Sequence, residues 1–403
     1  MLPIRQSASV LLLMLPLALD AAAQGASPAG WAREVVPSSK LGRRTLYVAT
    51  PEGYERGRMR YPVLVLLDAD DPPMFRLGIA HAVYLADNAG MPPMIVVGIV
   101  NGDDRIHDMT PPPVGTSVAE FKTAGGADAF ADFIVNEAIP RVRAKYRTLP
   151  TTVLAGHSAG GLFALHAAAT RPGAFQAVIA VSPALWYNDS LPARIYADSI
   201  ARSSVPLRVF VASGGVDEPD IDLTTRRFAQ RLDSIKRPTV ALAYRHYPDD
   251  THSLTPLSGL ADGLRFAFEP VLPRRLPIAR LGPRADSATV MRALAASEAM
   301  YADSARLLLL PERLPERVVN RLGYFALRTL EHAALSILVF QRNVELHPES
   351  ARVHASLADG YLARGDTAAG IAHLRQAVTI SRSSGAELPA EAHATLRKLE
   401  QRR

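Results

Sequence analysis

Gly156-His157-Ser158-Ala159-Gly160 sets a serine between two glycines, with Gly161 directly behind. Thr151-Thr152-Val153-Leu154 before it has strand character, and Leu162 to Ala169 after it favours helix. A serine on so sharp a strand-to-helix turn is held out at the edge of a sheet, where its hydroxyl can act as a nucleophile. The glycines suit close backbone contacts and dihedrals that a Cβ would obstruct. The helix that follows aims its first amides at the place where negative charge would develop. The chemistry implied is acyl transfer through a covalent serine ester.

Such a serine needs a base to take its proton, and the base needs a carboxylate to orient it. On an elbow of this kind the chain order is serine, acid, histidine. After the strand-like Leu207–Val211 comes Ala212-Ser213-Gly214-Gly215-Val216-Asp217-Glu218-Pro219, where Asp217 is the first choice for the acid and Glu218 the alternative. Asp220 and Asp222 lie further from the strand end. After the strand-like Val240–Tyr247 comes Pro248-Asp249-Asp250-Thr251-His252-Ser253-Leu254, and His252 is the expected base. His246 falls inside the strand pattern and reads as structural, and His157 is too close in sequence to turn its ring onto Ser158. The oxyanion hole is expected to use the amide of Ala159 and a second amide from the loop after Tyr61–Asp68, around Ala69 or Asp70, with Ala69 the position chosen.

The elements that must position these groups read as an α/β protein. Arg44–Thr50 alternates like a strand, while Tyr61–Asp68 and Met94–Val100 are continuous apolar runs of the kind buried on both faces. Residues 24–40 read as a loose lead-in. A helical pattern spans Ala127–Tyr146, and Ala177–Val181 is a further strand. Strands separated by helices predict a doubly wound, mainly parallel sheet with its site at the carboxyl ends of the strands.

The chain has 403 residues, room for one large and one small domain. Hydrophobic residues make up 48%, enough for a sizeable core. The net charge of +6 is spread along the chain with no basic run interleaved with aromatics, which excludes a nucleic-acid reading. Arg5, the apolar Val10–Leu19 and Ala21-Ala22-Ala23 read as a signal peptide over residues 1–23, cut before Gln24, which implies a periplasmic or secreted protein. There is no cysteine, so no disulfide can form. No cofactor is expected. The Asp68–Asp71 and Asp249–Asp250 clusters lack the histidines or further carboxylates of a metal site, and no metal is expected.

Residues 24–270 are thus expected to form the hydrolytic domain. Residues 271–290, with Pro273, Pro277, Pro283 and several arginines, read as an interdomain linker, and 291–403 as a small all-α domain. Within the latter, Leu357, Ala358, Tyr361, Gly365 and Ala377 stand at the places that resemble a tetratricopeptide repeat, and a weaker copy ends near Phe340 and Pro348. So few repeats must pack on the hydrolytic domain or on a protein partner.

Several motifs together resemble the putative-esterase branch of the α/β-hydrolases, which includes enterochelin esterase and esterase D. They are Pro51-Glu52-Gly53-Tyr54, Tyr61–Asp68, Val96–Asn101 with Arg105 and Asp108-Met109-Thr110-Pro111, Gly125–Phe130, the Gly156–Gly161 elbow and Ser182-Pro183-Ala184-Leu185-Trp186. The resemblance covers most of residues 44–268. It implies a serine hydrolase of small-molecule or polymer-linked carboxylic esters, with Ser158 and His252 at matching positions and with Trp186 and Arg105 near the substrate pocket. The plain alternatives are core packing for Trp186 and an ion pair with Asp108 for Arg105. The Asp-Gly usual after the oxyanion strand is Asp68-Ala69 here. Two rival functions share these residues: acyl transfer to an alcohol, and a non-catalytic binding protein on the same scaffold whose helical tail docks a partner.

Overall fold

A computed structural model describes residues 30–401 except 56, 116, 283, 284, 385–387 and 389. The expected signal segment and its cut before Gln24 lie outside these residues, as does Pro283. The elements run β1 (Ala32–Ser38), β2 (Gly42–Ala49), β3 (Tyr61–Leu66), α1 (Pro72–Ala89), β4 (Ile95–Ile99), α2 (Arg105–Met109), α3 (Ser117–Glu120), α4 (Ala127–Phe133), a π-helical turn (Ile134–Ala138) and α5 (Ile139–Lys145). They continue with β5 (Thr148–His157), α6 (Ala159–Thr170), β6 (Ala177–Val181), α7 (Leu191–Arg202), β7 (Leu207–Val216), α8 (Pro219–Ile235), β8 (Val240–Thr251) and α9 (Thr255–Ala267). The strands form one sheet in the order β1-β2-β4-β3-β5-β6-β7-β8. The pairs β1–β2 and β2–β4 are antiparallel, and the rest are parallel.

Every residue of β3, β4 and β6 is buried, which explains their unbroken apolar runs: helices cover both faces of the sheet. One core lies under α4 to α8, and the other lies under α1 and α9. The helix after the serine, α6, is apolar nearly all round because it is wedged inside the first layer, with Leu162 to Ala168 buried.

The lead-in at 24–40 contains β1, which the sequence pattern hides. Its inward positions include Glu34, buried against the Tyr146 hydroxyl at 2.9 Å and the Lys145 ammonium, and Pro37 interrupts the run. Proline is tolerated because β1 is the sheet edge.

Two strands overrun their neighbours. β6 stops at Val181, opposite Ala212, but the β7–β8 pairing continues to Val216 and Thr251, with an irregularity after Gly214. A Cβ on Gly214 would lie 2.2 Å from the Asp250 carbonyl oxygen, and one on Gly215 would lie 2.2 Å from that of Pro248. The Gly-Gly pair therefore lets β8 cross closely over β7. The tip of this ribbon brings the segments after Val216 and Thr251 together above the sheet.

The helices α10 (Ser287–Leu307), α11 (Glu316–Arg328), α12 (Ala333–Leu346), α13 (Ala351–Ala363), α14 (Thr367–Ser384) and α15 (Ala390–Glu400) complete the chain. The stretch read as a linker is packed: it forms three short 3₁₀ turns, with Val271, Leu272 and Leu276 almost wholly buried. Val290, Leu294, Tyr301, Leu308, Leu310, Leu314 and Val319 extend the α1/α9 core into the helical region. At the base of β5 the Thr151 hydroxyl lies 2.7 Å from the Leu308 carbonyl oxygen and 3.0 Å from that of Leu309. Ser158 sits at the opposite end of that strand. No described helix is long and apolar enough to cross a membrane.

Candidate active site

Ser158 is the residue between the last position of β5 and the first of α6, with φ 58° and ψ −120°. The turn is held by Ser158 N–H donating to the Val181 carbonyl at 3.0 Å and by the Ala184 and Leu162 amides donating to the Ser158 carbonyl at 3.1 and 3.0 Å. A Cβ on Gly156 would lie 2.3 Å from the Gly160 carbonyl oxygen, so only glycine permits so tight a reversal. The Ala159 amide is first in α6 and has no helical carbonyl to donate to.

The ribbon tip brings the histidine and one acid together. His252 Nδ1 lies 2.8 Å from Asp217 Oδ1. The Asp217 side chain is fully shielded from solvent, whereas that of His252 is 27% exposed, so one edge of its ring stays accessible. Glu218 is exposed, and its amide donates to Asp217 Oδ1 at 3.0 Å. Burial alone would push the Asp217 carboxyl up. The hydrogen bonds from His252, from Ser182 Oγ at 2.5 Å and from Gly214 N–H at 3.2 Å outweigh it and hold the group below the ordinary aspartate range.

His157, set aside for its closeness in sequence to Ser158, is turned toward the base. Its Nε2 lies 2.9 Å from the His252 carbonyl oxygen, and the two ring centroids are 4.4 Å apart. Burial, and then the neighbouring His252, push its pKa down to about 4. At neutral pH it is an uncharged ring that can donate from Nε2. The unfolded chain takes up this proton below about pH 6.5, the folded one only near 4, so stability falls as pH drops through that window. The full loss from this group is about 3 kcal/mol. His157→Gln is expected to flatten the fall in urea-unfolding free energy between pH 6.5 and 4 by close to one proton's slope. An unchanged slope would contradict the assignment.

His246 is engaged elsewhere, 3.2 Å from Asp222, which also accepts from Ser213 and Tyr244. His166 sits between Tyr196 and Asp128.

The Ala69 amide, the position expected to complete an oxyanion hole, is not free. It donates to the Ile99 carbonyl at 3.0 Å and is spent on β4. Asp68, at φ 59°, turns the chain so that the Asp71 amide reaches back to the Asp68 carbonyl. The Asp70 amide between them has no acceptor among the described residues.

Arg105 does not pair with Asp108, which is buried against Arg44 at 2.6 and 2.9 Å. Instead its guanidinium grips both carboxylate oxygens of Asp68 at 2.5 and 2.9 Å and reaches the His157 carbonyl at 3.2 Å. It ties the Asp68–Asp70 turn to the serine elbow. Trp186 is half-buried beside Phe121, ring centroids 5.9 Å apart. It lies on the loop whose Ala184 bonds the Ser158 carbonyl. That loop then passes through three consecutive left-handed residues, Asn188, Asp189 and Ser190. Asn188 fastens it to the neighbouring loop through Val114 N–H at 2.9 Å and the Pro112 carbonyl at 3.0 Å.

The family model described as Putative esterase matches residues 38–258. The siderophore triacetylfusarinine C esterase of Aspergillus fumigatus is 46% identical over 86 residues, which are 21% of this chain and 28% of that protein. The match to that fungal relative thus spans under a third of its length. The ferri-bacillibactin esterase BesA of Bacillus subtilis is 26% identical over 234 residues, covering 52% of this chain and 80% of that protein. Among solved structures, an IroE-like serine hydrolase from Shewanella oneidensis superposes with a TM-score of 0.64 at 22% identity, covering 78% of this chain and 98% of that one. That likeness speaks for the fold.

Proposed function

We propose, since the chain belongs to the Putative esterase family, that it is an exported hydrolase of carboxylic esters working through an acyl-enzyme on Ser158. The observation that carries this reading is the Asp217–His252 pair, 2.8 Å apart, with the His252 carbonyl 2.9 Å from the ring of His157, the residue before a serine held at φ 58°. Asp217 accepts the Nδ1 proton of His252 and so leaves Nε2 unprotonated and free to take the Ser158 proton. Ser158 Oγ attacks the ester carbonyl. The amides of Ala159 and Asp70 receive the developing oxyanion, each worth about two to three orders of magnitude in turnover. His252 then returns its proton to the departing alkoxide, and a water activated by the same ring releases the acid.

Arg105 serves this site by fixing the two backbone segments that supply the oxyanion amides, since its guanidinium is already bonded to Asp68 and the His157 carbonyl. Trp186 and Phe121 form an aromatic wall of the substrate site. The substrate class is a siderophore ester, the compounds that the relatives' names specify. Export rests on the signal-like residues 1–23. Incubating the mature chain with triacetylfusarinine C and with bacillibactin, read by mass spectrometry, tests the reading. Ester cleavage by the wild type and none by Ser158→Ala is expected. Turnover of p-nitrophenyl esters with both siderophores left intact would remove the substrate assignment, and failure on all esters would remove the enzyme reading.

A further inference from the structure

Ser182 and Thr255 lie outside the three residues that carry the chemistry, yet both are wholly buried directly behind them. Ser182 follows the last residue of β6 and is held at φ 42°. Its Oγ lies 2.5 Å from Asp217 Oδ2, the carboxylate oxygen that His252 does not use, and 2.9 Å from Thr255 Oγ1. Thr255 is the first residue of α9, and its hydroxyl lies 2.8 Å from the carbonyl oxygen of His252. The contacts close a ring: imidazole to carboxylate, carboxylate to Ser182, Ser182 to Thr255, and Thr255 to the backbone of the histidine itself.

The protons of this ring can be assigned. An ionised carboxylate only accepts, so Ser182 gives its one proton to Asp217. Ser182 can then only accept from Thr255. Thr255 has one proton and two acceptors within reach, Ser182 and the His252 carbonyl. It shares that proton between them in a three-centre bond, and His157 Nε2, 2.9 Å from the same carbonyl, gives the carbonyl a further donor. Thr255, Ser182 and Asp217 thus form a directed chain of hydroxyl donors that ends on the acid.

We propose that Ser182 and Thr255 are positioning residues: a two-hydroxyl strut that couples the acid to the backbone of the histidine loop and sets both relative to Ser158. The strut matters because the acid and the base sit on the tip of a two-stranded ribbon that has left the support of β6. Ser182, directly after β6, is fastened to β7 by its N–H donating to the Ala212 carbonyl at 2.7 Å and anchors that tip. This inference rests on the serine-hydrolase reading above.

Thr255 offers a test that separates a hydroxyl from a filler of space. Valine keeps the volume of threonine and removes the hydroxyl; serine keeps the hydroxyl and removes the methyl. The readouts are p-nitrophenyl butyrate kinetics and the rate at which a fluorophosphonate labels Ser158. Thr255→Val is expected to lower kcat and the labelling rate by about 10- to 100-fold with KM little changed, because a group acting only through the general base is missed in the transition state. Thr255→Ser is expected to stay within about threefold of wild type. Ser182→Ala is expected to match Thr255→Val, and the double variant to be no worse than the weaker single, since the two act in series. Thermal melts of all variants show that they are folded. The reverse order, with Val active and Ser impaired, means packing and overturns the proposal, as do losses that multiply in the double variant. A wild type that the fluorophosphonate does not label would instead defeat the underlying enzyme reading.

Discussion

Asp217→Asn lowers kcat/KM for a p-nitrophenyl ester by about three to four orders of magnitude, while Glu218→Gln leaves it nearly unchanged. The two neighbours differ in what they touch. Asp217 is shielded from solvent, accepts from Ser182 and the Gly214 amide, and meets His252 Nδ1. Glu218 is exposed and contributes its backbone amide to Asp217. An asparagine at 217 would present an amide NH₂ or a weaker acceptor to Nδ1 and favour the wrong tautomer, with the imidazole proton on Nε2, where it cannot take one from serine. Steady-state kinetics on the two variants decides this. Equal losses would place the acid elsewhere.

Deleting residues 287–403 leaves the hydrolytic part insoluble or unable to unfold cooperatively. The helical region is a part of the core. Val290, Leu294 and Tyr301 on α10 continue the α1/α9 core, and α10 packs on the 3₁₀ turns at Glu269–Val271 and Pro277–Arg280. Each large apolar side chain uncovered costs about 1.5–3 kcal/mol. A domain is stable by only about 5–15 kcal/mol, so a few such losses suffice. The cut also leaves the Thr151 hydroxyl at the base of β5 without the Leu308 and Leu309 carbonyls. Circular dichroism and urea unfolding of the shortened chain check this. A cooperative transition with an undiminished midpoint would show that the helices merely decorate the sheet.

Much of this architecture is legible in the residues. The buried strands β3, β4 and β6 announce themselves because a strand covered on both faces must be apolar throughout. The elbow is legible because its backbone requires glycines at fixed places. The edge strand β1 is not, since its inward Glu34 is neutralised by partners more than a hundred residues away. The free amide of the Asp68–Asp71 turn is not legible to single-residue accuracy either: whether Ala69 or Asp70 points free depends on Asp68 taking φ 59°, in a turn gripped by Arg105 from the far side of β4 in the chain. Arg105 shows a related limit. An arginine three residues from Asp108 suggests a local pair, but the sheet order brings Asp68 to it and leaves Asp108 to Arg44. Ser182, Thr255 and His157 are seen only once β6, the ribbon tip and α9 are assembled in space.

The proposed chemistry stands or falls on Ser158 being a nucleophile driven by His252. Treating the mature chain with a fluorophosphonate and mapping the adduct by peptide mass spectrometry tests it most directly. A single adduct on Ser158 is expected, absent in Ser158→Ala and formed far more slowly in His252→Ala. An unmodified wild type, or labelling that survives Ser158→Ala, would contradict it.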